Sequence, residues 1–214
     1  MATALANAKS ARPRQVRKKP AVRREEIIEG AAEVFLELGY AGFNLRAVAS
    51  RVGIWLGALQ YHFPTREKLL VAALERVVGA WLAEFRSIAD DRSQPPERRL
   101  KSLFDLNLRL VIAPGTAPLM FEAFAMAQHE DFARELVRGN YNTYRSIFED
   151  ILRELAPDCP ADRVVATAAL ITSQLEGMML FVRPGDPTAP TPQSVADQFD
   201  RLTGLYVEMI RQAP

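Results

Sequence analysis

A short run of small and polar residues near position 60 has two properties that a groove-binding helix needs. Gly57 and Ala58 are small, so the backbone can approach another surface closely. Gln60, Tyr61 and His62 carry hydrogen-bonding groups beside them. On a short helix, such side chains are suited to contacts in the major groove of DNA.

Basic side chains are concentrated at the amino terminus. The 214 residues include 27 Lys and Arg and 26 Asp and Glu, a formal net charge of +1. Residues 1–70 carry +6 and the remainder −5, and residues 1–24 contain eight basic side chains and no acidic one. We predict that 1–20 form a disordered basic arm that contacts phosphates. Two modes remain open, a diffuse electrostatic tether and insertion of residues 12–17 into a minor groove.

Apolar residues recur at helical spacing from Val22 onward, and no run shows the strict alternation of a strand, which predicts an all-α fold. Gly39 is placed to end the first helix, Asn44 and Thr65 to cap later ones, and Gly53 to form a tight turn. The predicted helices are 23–38, 45–52, 55–63, 66–89, 97–112, 119–128, 130–155, 161–182 and 194–212. The first three lie within about 40 residues, the spacing of a helix-turn-helix.

Residues 24–70 resemble the amino-terminal DNA-binding domain of the TetR family of transcriptional regulators. The resemblance rests on the sequence EIIEGAAEVFLELGY, the Gly53 turn, the segment Gly57-Ala58-Leu59, the ending His62-Phe63 and the opening TREKLL of the fourth helix. It covers roughly a quarter of the chain. The remainder resembles the family in architecture alone.

The resemblance implies a three-helix DNA-binding domain over 21–81, with its turn motif at about 44–63, and a larger ligand-binding and dimerisation domain over 82–214. It further implies a cytoplasmic, sequence-specific transcriptional regulator that binds a near-palindromic double-stranded operator. We expect a repressor that a small apolar or amphipathic effector releases, with the fourth helix as a rigid lever. A homodimer would form through about 161–182 and 194–212.

The residues and the resemblance together predict the DNA contacts. Gln60 stands where the family usually has Tyr, and it would contact either an adenine or a phosphate. Trp55 stands where the family commonly has a capping Ser or Thr. It could pack on sugar and a thymine methyl, fold onto Arg46 or Tyr61, or be an engineered substitution. The predicted contacts are Asn44, Leu45, Arg46, Trp55, Leu56, Gly57, Ala58, Gln60, Tyr61, His62 and Lys68.

The second domain is rich in aromatic and Met residues, which form either an ordinary core or an apolar ligand pocket with a few polar groups. Because family members typically bind an inducer here, the resemblance favours the pocket. Arg109 and Glu176 lie within apolar stretches and could face it, form pairs or extend to solvent. The predicted ligand contacts are Phe104, Leu108, Phe121, Phe124, Gln128, Tyr141, Tyr144, Phe148, Gln174 and Met178.

Other functions have less support. The sequence has no phosphate-binding loop and no recognisable nucleophile or metal motif, so we predict no catalytic residue, metal or cofactor. The single cysteine, Cys159, fits a reducing compartment. No stretch of about 18 consecutive apolar residues suggests a membrane span. The alternative is a non-enzymatic helical protein whose basic arm binds a membrane surface or a protein partner.

Overall fold

The structure is a computed structural model that describes residues 20–183 and 185–212. Those residues form helices and turns with no strand, which confirms the predicted all-α fold. The predicted arm, 1–20, lies outside the described residues except for Pro20. The helices are α1 Pro20–Gly42, α2 Leu45–Val52, α3 Leu56–His62, α4 Arg66–Ala89, α5 Pro96–Ile112, α6 Thr116–Ala127, α7 Asp131–Leu155, α8 Ala161–Phe181, α9 Pro192–Ala196 and α10 Phe199–Arg211.

Local sequence signals explain the boundaries of the first helices. Gly39 has φ 64° and ψ −175°, which interrupts α1. Asn44 Oδ1 accepts from the Ala47 N–H at 2.9 Å and caps α2. Gly53 has φ 69° and ends α2 in the left-handed region. Thr65 Oγ1 accepts from the Lys68 N–H at 3.3 Å and caps α4.

Helix α1 begins at Pro20 and continues past the Gly39 break to Gly42, whereas 23–38 was predicted. Two further predicted helices also differ in their bounds. The predicted helix 194–212 is two helices, because the chain turns at 197–198, where the Gln198 N–H bonds to Val195 O at 3.0 Å. Helix α6 begins at Thr116 instead of 119, because Gly115 with φ 88° turns the chain and its carbonyl accepts from the Leu119 N–H. Pro118 is tolerated there, since the first turn of a helix needs no N–H from it.

Two apolar cores lie along the molecule, with α4 passing from one to the other. The first core joins α1, α2, α3 and the beginning of α4 to α6 and the beginning of α7. The second core joins the end of α4 to α5, α7, α8 and α10. Helix α6 therefore packs directly on the helix-turn-helix region, although it lies far beyond it in sequence.

Helix α8 is apolar as well as long. Its most apolar 18-residue window has a mean hydropathy of 1.5, enough to cross a membrane by composition. Helix α8 does not contain 18 consecutive apolar residues, because Thr, Ser and Gln interrupt its apolar sequence. In the fold, 44% of that window is buried, with Val164, Ala168, Ile171 and Leu175 in the second core. The same test is passed by core helices of soluble proteins.

Candidate DNA-binding surface and ligand cavity

Helix α3 has one anchored side and one open side. Leu59 is completely buried and Phe63 nearly so, both in the first core. On the other side, Tyr61 is 82% exposed and Trp55, at the amino-terminal cap, is 78% exposed. Burying two large side chains offsets a short helix's weak intrinsic stability, so the helix is held while its polar side faces outward.

The predicted DNA contacts lie at the beginning of α2, along α3 and at the beginning of α4. Leu45, Leu56, Ala58 and His62 are half-buried and support this surface. Its exposed members are Asn44, Arg46, Trp55, Gly57, Gln60, Tyr61 and Lys68.

Trp55 occupies the cap position of α3 without supplying a side-chain cap. Its ring lies over the backbone at Gly57, where a Cβ atom would be 3.2 Å from Trp55 Cζ3. Within the described residues, the ring makes no aromatic contact with Tyr61 and no cation–π contact with Arg46. Tyr61 packs edge-on against His62 instead, with ring centroids 5.3 Å apart. The interpretation in which Trp55 folds onto Arg46 or Tyr61 is therefore wrong, and Gly57 has a role that the sequence did not reveal.

Basic residues near this surface divide into structural and unpaired ones. Arg51 forms ion pairs with Glu33, at 3.1 Å, and with Glu37. Arg66 donates to the carbonyl oxygens of Phe43 at 2.8 Å and of Tyr40 at 2.6 Å. Arg46 and Lys68, by contrast, are exposed and form no ion pair within the described residues. Their charges are available to an anion.

A cavity of about 80 Å³ lies where α4, α5, α6, α7 and α8 meet, between the two cores. Its wall is mostly apolar, and Glu176 is the one charged residue among the described residues that line it. The lining residues are Leu74, Val78, Trp81, Leu82, Phe85, Asn107, Leu110, Val111, Thr116, Leu119, Met120, Ala123, Leu136, Val137, Asn140, Tyr141, Tyr144, Glu176 and Met179.

Hydrogen bonds fix part of the polar wall. The Tyr144 hydroxyl donates to Asn107 Oδ1 at 3.0 Å, and Asn107 Nδ2 donates to the Leu175 carbonyl at 3.1 Å. Within the described residues, the buried Tyr141 hydroxyl has no partner of good hydrogen-bond geometry, but it lies close to the Glu176 carboxylate. Burial raises the pKa of Glu176, and the interaction with the Tyr141 hydroxyl opposes this effect. Burial first, and then the charge of Glu176, raise the pKa values of Tyr141 and Tyr144.

Two of the ten predicted ligand residues, Tyr141 and Tyr144, line the cavity, and the other eight do not. Phe104, Leu108, Phe148 and Met178 are buried in the second core, because those faces of α5, α7 and α8 pack on neighbouring helices.

The remaining four lie closer to the surface. Phe124 packs beside Tyr141, with ring centroids 5.8 Å apart. Phe121, Gln128 and Gln174 are exposed. Gln174 accepts from the Tyr206 hydroxyl at 2.6 Å.

The ten predicted ligand contacts include none from α4, which supplies five lining residues including Trp81 and Phe85. The signal was present, since the apolar stripe of α4 continues well past the helix-turn-helix. The sequence did not decide the environment of two charged residues, Arg109 and Glu176. In the structure, Glu176 faces the cavity, whereas Arg109 is exposed and pairs with Glu84 at 3.2 Å.

Helix α6 connects the cavity to the α1 break. Leu119 and Ala123 face the cavity, while Glu122 accepts a hydrogen bond from the Tyr40 N–H next to Gly39. Arg66 of α4 holds the same junction through the Tyr40 carbonyl, with its guanidinium 4.1 Å from the centroid of the Tyr40 ring. Both helices that hold the junction also line the cavity.

Within the described residues, no group of three metal-ligating side chains occurs.

Comparison with known proteins agrees with this geometry. Residues 27–73 match the family model described as "Bacterial regulatory proteins, tetR family". Residues 96–207 match "BetI-type transcriptional repressor, C-terminal". The chain is similar to the HTH-type transcriptional repressor KstR2 of Mycobacterium tuberculosis, at 26% identity over 185 residues that span 83% of this chain and 88% of KstR2.

Solved structures show the same fold. A putative transcriptional regulator from Pseudomonas aeruginosa superposes with a TM-score of 0.71 at 20% identity, covering 92% of this chain and 96% of that one. A putative regulator from Saccharomonospora viridis, solved in complex with choline, has a TM-score of 0.69 at 18% identity, covering 88% and 96%. With the two family models spanning both domains, the chain belongs to the TetR family of DNA-binding transcriptional regulators.

Proposed function

We propose that the protein is a cytoplasmic repressor that binds a near-palindromic operator as a homodimer and is released by a small ligand in the cavity. The observation that supports this most strongly is the α3 surface, where Trp55 and Tyr61 are almost fully exposed on an anchored helix. Large aromatic side chains exposed together on a structured surface usually mark a binding site.

We assign roles on that surface by chemistry. Trp55, Gln60 and Tyr61 of the α3 region enter the major groove, where Gln60 bonds to an adenine or a phosphate. Arg46 and Lys68 bind phosphates, because their charges form no ion pair with the part of the chain that the structure describes. The predicted arm adds a salt-dependent attraction that carries no sequence information.

Dimerisation is proposed through α8 and α10. The outer sides of these helices expose apolar side chains that the described chain leaves uncovered, including Leu170 at 57%, Phe181 at 68% and Leu205 at 63%. A second copy would bury them. Two DNA-binding domains about 34–36 Å apart would then read two half-sites, which accounts for a near-palindromic operator.

Release is proposed through α4 and α6. The cavity is partly open and has a volume of about 80 Å³, smaller than the ~150 Å³ cavity that holds benzene in an engineered protein. A larger ligand that enters it would displace helices of the wall. Because Arg66 and Glu122 tie α4 and α6 to the Tyr40 junction, that displacement would move the DNA-binding helices.

We also propose that the chain divides near residue 81, as predicted, with α4 shared by both domains, and that it has no catalytic activity. The alternative, a helical protein whose arm binds a membrane or protein partner, does not account for the exposed α3 face and is not favoured by the family membership.

Replacing Tyr61 with Ala tests the assigned surface. We expect operator affinity to fall at least about 30-fold, because each DNA-binding domain of the dimer loses a contact of about 1–3 kcal/mol. Fluorescence anisotropy measures the affinity, and Phe121→Ala, an exposed aromatic on α6, is the matched control. If the Tyr61 variant melts much earlier than the wild type, Tyr61 is structural and the assignment is wrong.

A further inference from the structure

We propose that the cavity binds a small organic cation, whose quaternary or protonated amine lies against Glu176 within the aromatic wall. This inference rests on the proposed function, since it names the chemical class of ligand for the same cavity. It follows from the charge, the rings and the hydrogen bonds of the lining residues.

The charge of the cavity is uncompensated. Among the described residues, Glu176 is the one acidic side chain that lines the wall, and no Lys, Arg or His lines it. Glu176 forms no ion pair with any described residue, whereas other carboxylates do, such as Glu154 with Arg99. Burying a carboxylate without a cation beside it costs free energy. A cationic ligand would supply the missing positive charge and gain binding energy from it.

The rings around Glu176 suit the same ligand. Trp81, Phe85, Tyr141 and Tyr144 all line the cavity. Ring centroids are 4.9 Å apart for Phe85 and Tyr144, and 6.3 Å apart for Tyr141 and Tyr144, both in edge-on arrangements. Aromatic faces attract cations through their negative π-density, and desolvation strengthens this attraction.

The hydrogen-bonding groups favour a cation over the alternatives. The Tyr144 hydroxyl already donates to the Asn107 side-chain oxygen, and the Asn107 amide nitrogen donates to the Leu175 carbonyl. The Tyr141 hydroxyl is neutral, so its interaction with Glu176 and any contact with a neutral ligand would both leave the Glu176 charge without a cation. An anionic ligand would be repelled by that charge. The raised pKa of Glu176 is consistent with a carboxyl group that lacks a cation.

Two probes of nearly identical shape separate charge from size. Phenyltrimethylammonium carries a positive nitrogen where tert-butylbenzene has a carbon, so the pair differs mainly in charge. In a Trp55→Phe background, the remaining tryptophan is Trp81 in the cavity wall. Quenching of its fluorescence measures binding of each probe to the full-length protein. We expect phenyltrimethylammonium to bind at least about tenfold more tightly.

Glu176→Gln should remove this preference, leaving the two probes within about threefold of each other. Glu84→Gln, which removes an exposed carboxylate outside the cavity wall, should retain it. Circular dichroism establishes that both variants are folded. The proposal is overturned if tert-butylbenzene binds equally well, if neither probe binds, or if Glu176→Gln keeps the preference.

DNA binding by the protein with Trp55 retained distinguishes this proposal from the proposed function, because Trp55 is itself assigned to the DNA-binding surface. If the protein binds its operator but shows no preference for the cation, the ligand class is wrong and the regulator stands. If it binds no DNA while the cation preference holds, the cavity is assigned correctly and the regulatory function is wrong.

Discussion

At the scale of single residues, Glu176 concentrates the chemistry of the cavity. Sequence indicated that a charge within an apolar stretch was unusual, but periodicity could not decide among cavity, ion pair and solvent. The decision depends on how far α8 is rotated against α4 and α7. The roles of Asn44, Gly53 and Thr65 were easier to predict from the sequence, because a cap or a turn depends on neighbours within about four residues.

Glu176 gives a pH prediction with a definite sign. Because its pKa is higher in the folded protein than in the unfolded chain, its contribution to stability is fully present below the unfolded value of 4.5 and is lost as pH rises through the folded value. The difference in melting temperature, wild type minus Glu176→Gln, should therefore increase from pH 7.5 to pH 5. Tyr141 and Tyr144 face the group and do not titrate in this range. A constant or decreasing difference would contradict the assignment.

At the scale of elements, α6 is the helix that sequence described least well. Its existence was predicted, but its start and its partners were not. One face lines the cavity and the other contacts the α1 break. In the sequence, such long-range packing is visible only as an amphipathic pattern. That pattern shows which face of the helix is buried, but not which other helices it packs against. For the same reason, Phe104 was predicted as a ligand contact, whereas the fold buries it in the second core.

Gly39 tests the junction between α1 and α6. An alanine there would hold φ near 64° and place its Cβ atom 2.8 Å from Glu122 Oε1. We expect Gly39→Ala to lower the free energy of unfolding by about 1–2 kcal/mol, measured by urea denaturation. Gly79→Ala is the control, because that helical position is open and should gain up to about 1 kcal/mol. Equal stability of the Gly39 variant and the wild type would mean that the junction is not constrained.

At the scale of the whole molecule, charge and apolar surface are separated. The formal charge is +6 over residues 1–70 and −5 over the rest. The unpaired cations Arg46 and Lys68 lie beside the exposed rings of the α3 region, while exposed apolar residues lie on α8 and α10. The positions of the charged residues along the sequence predicted the charge separation. Which helix faces remain uncovered required the fold, because exposure depends on all neighbours at once.

The apolar faces of α8 and α10 predict an assembly. The double variant Leu170→Glu and Leu205→Glu places charges where a second copy would pack, so we expect a folded monomer by analytical ultracentrifugation. Operator affinity should fall at least about 100-fold, because one DNA-binding domain contacts one half-site. Glu substitution at Val22, exposed on α1, is the control. A variant that remains dimeric would place the interface elsewhere.

Deleting residues 1–19 tests the proposed basic arm. The segment carries six basic side chains, and each phosphate contact contributes about −0.9 to the slope of log affinity against log salt. The truncated protein should show a shallower slope with the same operator preference. A changed preference would mean that the arm reads bases.

Binding of the protein to the DNA upstream of its own gene tests the central claim most directly. With a folded dimer at low salt, we predict a dissociation constant below about 1 µM and a protected site of near-palindromic sequence. Failure to bind any upstream fragment under those conditions would contradict the account.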